Sequence, residues 1–189
     1  MLKYQHMFMQ TKDSLLLVID PQETLLRVVQ DRDRVVRNIS LLIEAAQIFD
    51  VPIVATTQYR KKLGIYPREI IERLKDLPLL DKMEFSALRN PQIRRAVSEK
   101  GRSSLIICGV ETHICVYQTA LSALEEGYRP VVVIDATSSR NRENFYWGAS
   151  RLRDLGIAVV STEMLVYEWL ERAGTSEFRA LLPSLKDSS

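Results

Sequence analysis

Cys115, Asp20 and Lys82 are the residues of this 189-residue chain whose types and settings would together support acyl transfer. Cys115 follows an apolar run, Ser104-Leu105-Ile106-Ile107-Cys108, and a turn, Gly109-Val110-Glu111-Thr112-His113-Ile114. It opens a helical stretch from Val116 to Glu126. A thiol in a first helical turn lies near unpaired N–H groups and the positive end of the helix dipole, and both are expected to favour the thiolate. Asp20 is the first polar residue after Leu15-Leu16-Leu17-Val18-Ile19. With its proton affinity raised by burial, such a carboxyl can take the thiol proton and return it to a leaving group. Lys82, within Leu79-Leu80-Asp81-Lys82-Met83-Glu84-Phe85, offers a cation that would hold both ionisations in a useful range. The turn before Cys115 could present backbone N–H groups to an oxyanion. Each residue also has a plainer reading: a small buried hydrophobe, a turn or cap residue, a surface lysine. Only the fold can bring them together.

The elements that would position them alternate in type. Ser14 to Ile19 reads as a strand buried on both faces, because it lacks period-two alternation. Asp33 to Phe49 carries Val35, Val36, Ile39, Leu42, Ile43 and Ala46 at helical spacing. Strands follow at Val51 to Thr56, Leu105 to Cys108, Pro130 to Ile134 and Ile157 to Val160. Between and after them come helices at Pro91 to Lys100, from Cys115, at Arg142 to Leu155 and at Glu163 to Arg172. Arg60 to Glu84 is the least regular stretch, a short helix mixed with loops. This alternation predicts a parallel sheet with helices on both faces. Sites in such sheets collect beyond the carboxyl ends of the strands. That rule selects Asp20, Gln22, Gln58, Cys115, and Asp135 with Ser138, Ser139 and Arg140. Gln22 and Gln58 could hydrogen-bond a substrate, and Phe85 could supply an aromatic wall. Tyr146 and Trp147 read as core or subunit contacts.

Bulk properties narrow the function class. Apolar residues make up 46% and charged residues 26%, the profile of an ordinary globular domain with a sizeable core. A single domain spanning residues 1–189 is expected, its core at about 13–172 and its ends frayed. A net charge of +2 argues for neither nucleic acid nor an anionic membrane as partner. No apolar run is long enough to span a bilayer, and the first nine residues lack the pattern of a signal peptide. Two cysteines, one in a core strand, suit a reducing cytoplasm better than a disulfide framework. Two histidines cannot build a multi-histidine metal site. No metal or cofactor is expected.

Several ordered motifs resemble one family. Val18-Ile19-Asp20-Pro21-Gln22, Asp81-Lys82-Met83-Glu84-Phe85-Ser86 and Cys108-Gly109-Val110-Glu111-Thr112-His113-Ile114-Cys115-Val116 are similar to the isochorismatase-like cysteine hydrolases. Within that family the chain looks like the small stand-alone isochorismatase domain-containing proteins. Tyr117 to Ala120, Asp135 to Arg140 and Ser161 to Glu163 extend the match. The resemblance implies a three-layer α/β fold with a six-stranded, mainly parallel sheet. It implies a triad of Asp20 as general base and acid, Lys82 as supporting cation and Cys115 as nucleophile. It also implies a cis peptide at Val110–Glu111, with the N–H groups of Glu111 and Cys115 directed at an oxyanion. A small-molecule substrate of amide type and a homo-oligomer are further implications.

Departures from related enzymes limit the substrate. Metal-dependent nicotinamidases of the superfamily carry an Asp-x-His pair and another His after the second strand, where this chain reads Thr56-Thr57-Gln58-Tyr59-Arg60-Lys61-Lys62. Siderophore-pathway isochorismatases lack the nucleophilic cysteine that is present here. His113 can line a pocket or serve as a local hydrogen-bond partner. The rival from within the fold is a retired hydrolase with a binding or assembly role. A phosphoacceptor domain with Asp20 as acceptor would need an additional acidic pair for Mg²⁺, and Asp13 is at the wrong end of its strand to help. Cys108 and Cys115 do not form a Cys-x-x-Cys pair, and no Gly-x-Gly-x-x-Gly turn follows the first strand.

Overall fold

A computed structural model describes residues 7–75 and 77–187. The first six residues and Ser188-Ser189, on which the expectations of no leader and of fraying fall, lie outside the described residues. The sheet has six strands: β1 (Ser14–Ile19), β2 (Ile53–Gln58), β3 (Leu79–Lys82), β4 (Ser104–Val110), β5 (Arg129–Ser138) and β6 (Ala158–Val160). Their order is β3-β2-β1-β4-β5-β6 and every pairing is parallel. The sheet is therefore wholly rather than mainly parallel. Each strand needs a crossover, and the helices that supply it cover both faces.

Alternation along β1 assigns its side chains to two cores. After β1 comes a single turn, α1 (Glu23–Leu26). Leu16 and Val18 face a core shared with α2 (Arg32–Ile48), α4 (Arg68–Leu74), α8 (Thr162–Leu170) and α9 (Ser176–Asp187). Leu15, Leu17 and Ile19 face the other core, with α5 (Pro91–Ser98), α6 (Tyr117–Glu125) and α7 (Arg142–Asp154). All six β1 residues are buried, which explains why its sequence shows no polar alternation. The helix ends carry the expected signals. Asn90 caps α5 with Pro91 at its first position, Asn141 caps α7 and Ser161 caps α8.

Three expectations need correction. The irregular stretch after β2 holds α3 (Arg60–Leu63), α4 and a strand, β3; β3 is four residues long and ends in Asp81-Lys82, too short and polar for a periodicity signal. The core does not stop at residue 172, because α9 buries Leu181 and Leu185 in the α2 layer. β5 runs on to Ser138, so Asp135 lies inside the strand rather than beyond it. Its carboxylate accepts from the Thr162 N–H and hydroxyl, tying β5 to the start of α8.

The order reverses direction at β1 and β4: β2 and β3 extend the sheet one way, β5 and β6 the other. The carboxyl ends of β1 and β4 form a topological switch point, where open α/β sheets leave a crevice. Gly109 makes the close approach there possible. It has φ +113°, and a Cβ at this position would run into the Ile19 carbonyl just before Asp20. Gly109→Ala is expected to destabilise the fold by about 3 kcal/mol or more, combining backbone strain with overpacking. Denaturant unfolding checks this; a loss under ~1 kcal/mol would mean the two strand ends are free to part.

Candidate active site

The site begins with a carboxylate that cannot reach water. Asp20 leaves β1 with φ 47°, a left-handed conformation that Asp tolerates better than most residues, and its side chain is fully buried. Its N–H donates to the Thr56 carbonyl at 3.2 Å. Two donors from the β2–β3 side hold the carboxylate: the Thr56 hydroxyl to Oδ1 at 2.7 Å and Lys82 Nζ to Oδ2 at 2.6 Å. Burial raises Asp20 above the ordinary carboxyl range, and its partners, Lys82 foremost, oppose the rise.

Lys82 is equally hidden. Its side chain has no exposure, and Nζ donates to Asp20 Oδ2, to Gln58 Oε1 at 2.6 Å and to the Glu84 carbonyl at 3.1 Å. The Phe85 carbonyl lies further off at 3.5 Å. The three nearer acceptors suffice for the three N–H groups of an ammonium, so the cation is both paired and coordinated. Gln58 takes part in this arrangement: it accepts from Lys82 and donates through Nε2 to the Met83 carbonyl at 2.9 Å. Gln22 is fully buried and spends its amide on backbone, donating to the Gln58 and Gly64 carbonyls and accepting the Gln58 N–H. It fixes the end of β2 rather than presenting a free group. Phe85 is 55% exposed on the loop that follows Lys82.

Cys115 reaches the pair from the other side of the switch point. It lies in a π-helical turn, Thr112–Val116, that leads into α6. The Val110–Glu111 peptide before it is cis. The Glu111 carbonyl accepts the N–H groups of Ile114 and Val116, on either side of Cys115. The Glu111 side chain turns away to Arg140, which binds it through its backbone N–H and its guanidinium. That grip anchors the cysteine turn to the loop after β5. His113 Nδ1 lies 2.9 Å from the buried Ser139 hydroxyl, and α7 packs its Gly148 against the His113 backbone.

The expectation that the helix terminus leaves Cys115 as a resting thiolate is not met. Only 6% of Cys115 is exposed, and its pKa is pushed up to about 12, first by burial and next by the Asp20 carboxylate beside it. Lys82 pulls the other way and does not prevail. Cys115 is a protonated thiol at rest, coupled to a carboxylate able to take its proton. Cys108, wholly buried within β4, is raised further still by burial alone. Both cysteines are free thiols.

A sheet switch point thus gathers a thiol, a carboxylate and an ammonium in a nearly water-free cluster, beside a turn with a cis peptide. Among the described residues no three His, Cys, Asp or Glu side chains group as a metal-binding set. Nor is any described helix long and apolar enough to cross a membrane. The isochorismatase domain family matches residues 14–164. The chain is 35% identical over 179 residues to the secreted isochorismatase effector Isc1 of Phytophthora sojae, covering 92% of this chain and 85% of that protein. Among solved structures it superposes on the YcaC gene product of Escherichia coli, described as an octameric hydrolase of unknown specificity. That likeness has a TM-score of 0.90 and 26% identity, over 98% of this chain and 95% of that one. It superposes equally on YcaC from Pseudomonas aeruginosa, solved with hexane-2,5-diol and covalent acrylamide, with a TM-score of 0.90, 27% identity and coverage of 98% and 96%. The chain belongs to the isochorismatase family of hydrolases.

The buried ion pair sets a stability signature. Lys82→Met leaves Asp20 buried without its cation and is expected to cost about 3–5 kcal/mol. Adding Asp20→Asn to Lys82→Met should recover most of that loss, since a neutral pair needs no charge compensation. Denaturant unfolding of the single and double variants measures both effects, and additive losses would contradict a direct pair.

Proposed function

We propose that the chain is a cysteine-dependent hydrolase of a small amide-type substrate, working through a thioester on Cys115. The observation that carries this reading is the Asp20–Lys82 pair, joined at 2.6 Å without solvent exposure, with the Cys115 thiol coupled to the same carboxylate. Each member supplies what another lacks. A thiol with a pKa near 12 needs a base at the moment of attack, and a carboxyl raised by burial can hold the proton until the leaving group needs it.

In the first half-reaction the Cys115 proton passes to Asp20 as sulfur bonds to the carbonyl carbon. The tetrahedral oxyanion is received by the N–H groups of Glu111 and Cys115. Asp20 then protonates the nitrogen as the C–N bond breaks, and ammonia or an amine departs. In the second half-reaction Asp20 takes a proton from water, the resulting hydroxide attacks the thioester, and sulfur leaves with the returned proton. Lys82 keeps the carboxylate charged between transfers, and Gln58 and the Glu84 carbonyl hold Lys82 in place. Phe85 forms part of the mouth. No cofactor enters this scheme. Loss of oxyanion donors typically costs ~3–4 kcal/mol of barrier, so the turn contributes on the scale of the thiol itself.

The Pseudomonas aeruginosa structure, solved with covalent acrylamide, supports a nucleophile within reach of a small electrophile in this fold. The octameric description of the Escherichia coli protein supports a homo-oligomer. Tyr146 and Trp147, 60% and 65% exposed on α7, are not core residues and suit a subunit contact. A cytoplasmic setting is our reading from the free thiols, while Isc1 is described as secreted. A catalytically retired module with a binding role is the alternative within the same fold.

Ammonia release from a panel of small primary amides separates the two. Cys115→Ser and Asp20→Asn should each lose at least about a thousandfold in kcat/KM, a loss on the scale of removing a member of a nucleophile–base unit. Cys115→Ser keeps the buried pair, whereas Asp20→Asn leaves Lys82 without its counter-ion and is compared at a temperature where its unfolding curve shows it folded. Turnover at wild-type rate in Cys115→Ser would remove covalent cysteine catalysis from the account. No release by the wild type across the panel would favour the retired module.

A further inference from the structure

The two oxygens of Asp20 are held by chemically unlike partners, and the difference decides where a proton can rest. Oδ2 faces the Lys82 ammonium at 2.6 Å. An ammonium has no lone pair and can only donate, so a proton on Oδ2 would set two donors against each other. Oδ1 faces the Thr56 hydroxyl at 2.7 Å. A hydroxyl both donates and accepts. Thr56 Oγ1 also has a second acceptor in reach, the Val18 carbonyl at 3.5 Å.

We infer that Thr56 is a proton-tracking switch: its hydroxyl donates to Asp20 while the carboxylate is charged, and turns to the Val18 carbonyl to accept the Oδ1 proton once Asp20 has taken it from Cys115. The inference rests on the proposed role of Asp20 as base. The switch itself makes and breaks no bond to carbon; it accompanies the proton transfer that occurs as sulfur bonds to the carbonyl carbon. One proton moves from sulfur to Oδ1, and one O–H rotates. Thr56 is a positioning residue, since it touches neither substrate nor nucleophile. Its own placement is fixed. It is fully buried in β2, and its carbonyl accepts both the Asp20 N–H and, at 2.5 Å, the Tyr66 hydroxyl. Tyr66 is buried as well, and the Val18 carbonyl, 3.3 Å from its oxygen, is a second and more distant acceptor for the same O–H.

The titratable groups facing Asp20 are Lys82 from β3, Cys115 from the π-helical turn and Tyr66 from the segment before α4. Lys82 favours the charged carboxylate; burial opposes it. Thr56 also favours the charged form. Hydrogen bonds to an ionised group are roughly twice as strong as neutral ones, so the net effect of Thr56 is to lower the proton affinity of Asp20. Removing the hydroxyl therefore raises it, and the acid limb of Cys115 reactivity moves upward in pH.

The test uses iodoacetamide as the probe, with Cys115 alkylation resolved from Cys108 by peptide mapping across pH. The wild type and Thr56→Ser, which keeps a hydroxyl, are expected to share one acid limb. Thr56→Val should shift it upward by roughly one pH unit, as expected from losing one charge-assisted donor. Thr56→Ala carries the same expectation should the valine variant not fold. An acid limb unmoved in the variants without a hydroxyl, or moved equally in Thr56→Ser, would overturn the switch alone. A wild-type profile identical to that of Asp20→Asn would instead show that Asp20 does not govern the thiol, overturning the proposed base role and the switch together.

Discussion

The Asp20–Lys82 pair is the constraint around which the carboxyl end of the sheet is organised. Two opposite charges without solvent exposure are costly to desolvate, and they persist only when their remaining hydrogen-bonding capacity is met. Thr56 completes Asp20, while Gln58 and the Glu84 carbonyl complete Lys82. Gln22 and Tyr66 then hold the backbone of β2 and β1 that presents these partners. Several buried polar residues that would look misplaced singly make one satisfied network.

That network explains how a small domain can hold a reactive thiol without leaving it reactive at rest. The elevated pKa of Cys115 keeps sulfur protonated until a neighbouring base is used, in contrast to thiols activated by a helix terminus. Tight approach of β4 to β1 at Gly109 and the Glu111–Arg140 anchor set the cysteine turn against the carboxylate from the opposite side. The packing that brings the groups together also excludes water, and exclusion of water is what shifts both acids upward.

Much of the fold was legible because parallel strands buried on both faces leave continuous apolar runs, as in Leu15 to Ile19. β3 was not, since Leu79-Leu80-Asp81-Lys82 is short and ends in the charge that the site uses. α9 was missed because its amphipathic face, Leu181 and Leu185, follows a Gly-containing break and includes Pro183. Within the site, the strand-end rule selected Asp20, Gln58 and Cys115; Lys82 was put forward as the cation their chemistry needs, and motif resemblance gave it a place in the triad. Thr56 and Tyr66 carried no signal, because a threonine in a strand and a tyrosine in an irregular stretch have ordinary structural roles. Gln22 and Gln58 were found, but for substrate contacts rather than for the backbone clamp of the one and the Lys82 and Met83 contacts of the other. The sign of the Cys115 shift was beyond the sequence, which shows a helix start and not the depth of burial.

The most direct test of covalent catalysis is acid-quenched mass spectrometry of the protein during turnover of a small amide that releases ammonia. An added acyl mass is expected on the Cys115 peptide, appearing and decaying with substrate and absent from Cys115→Ala. Continued ammonia release with no adduct on that peptide, in wild type and Cys115→Ala alike, would contradict it.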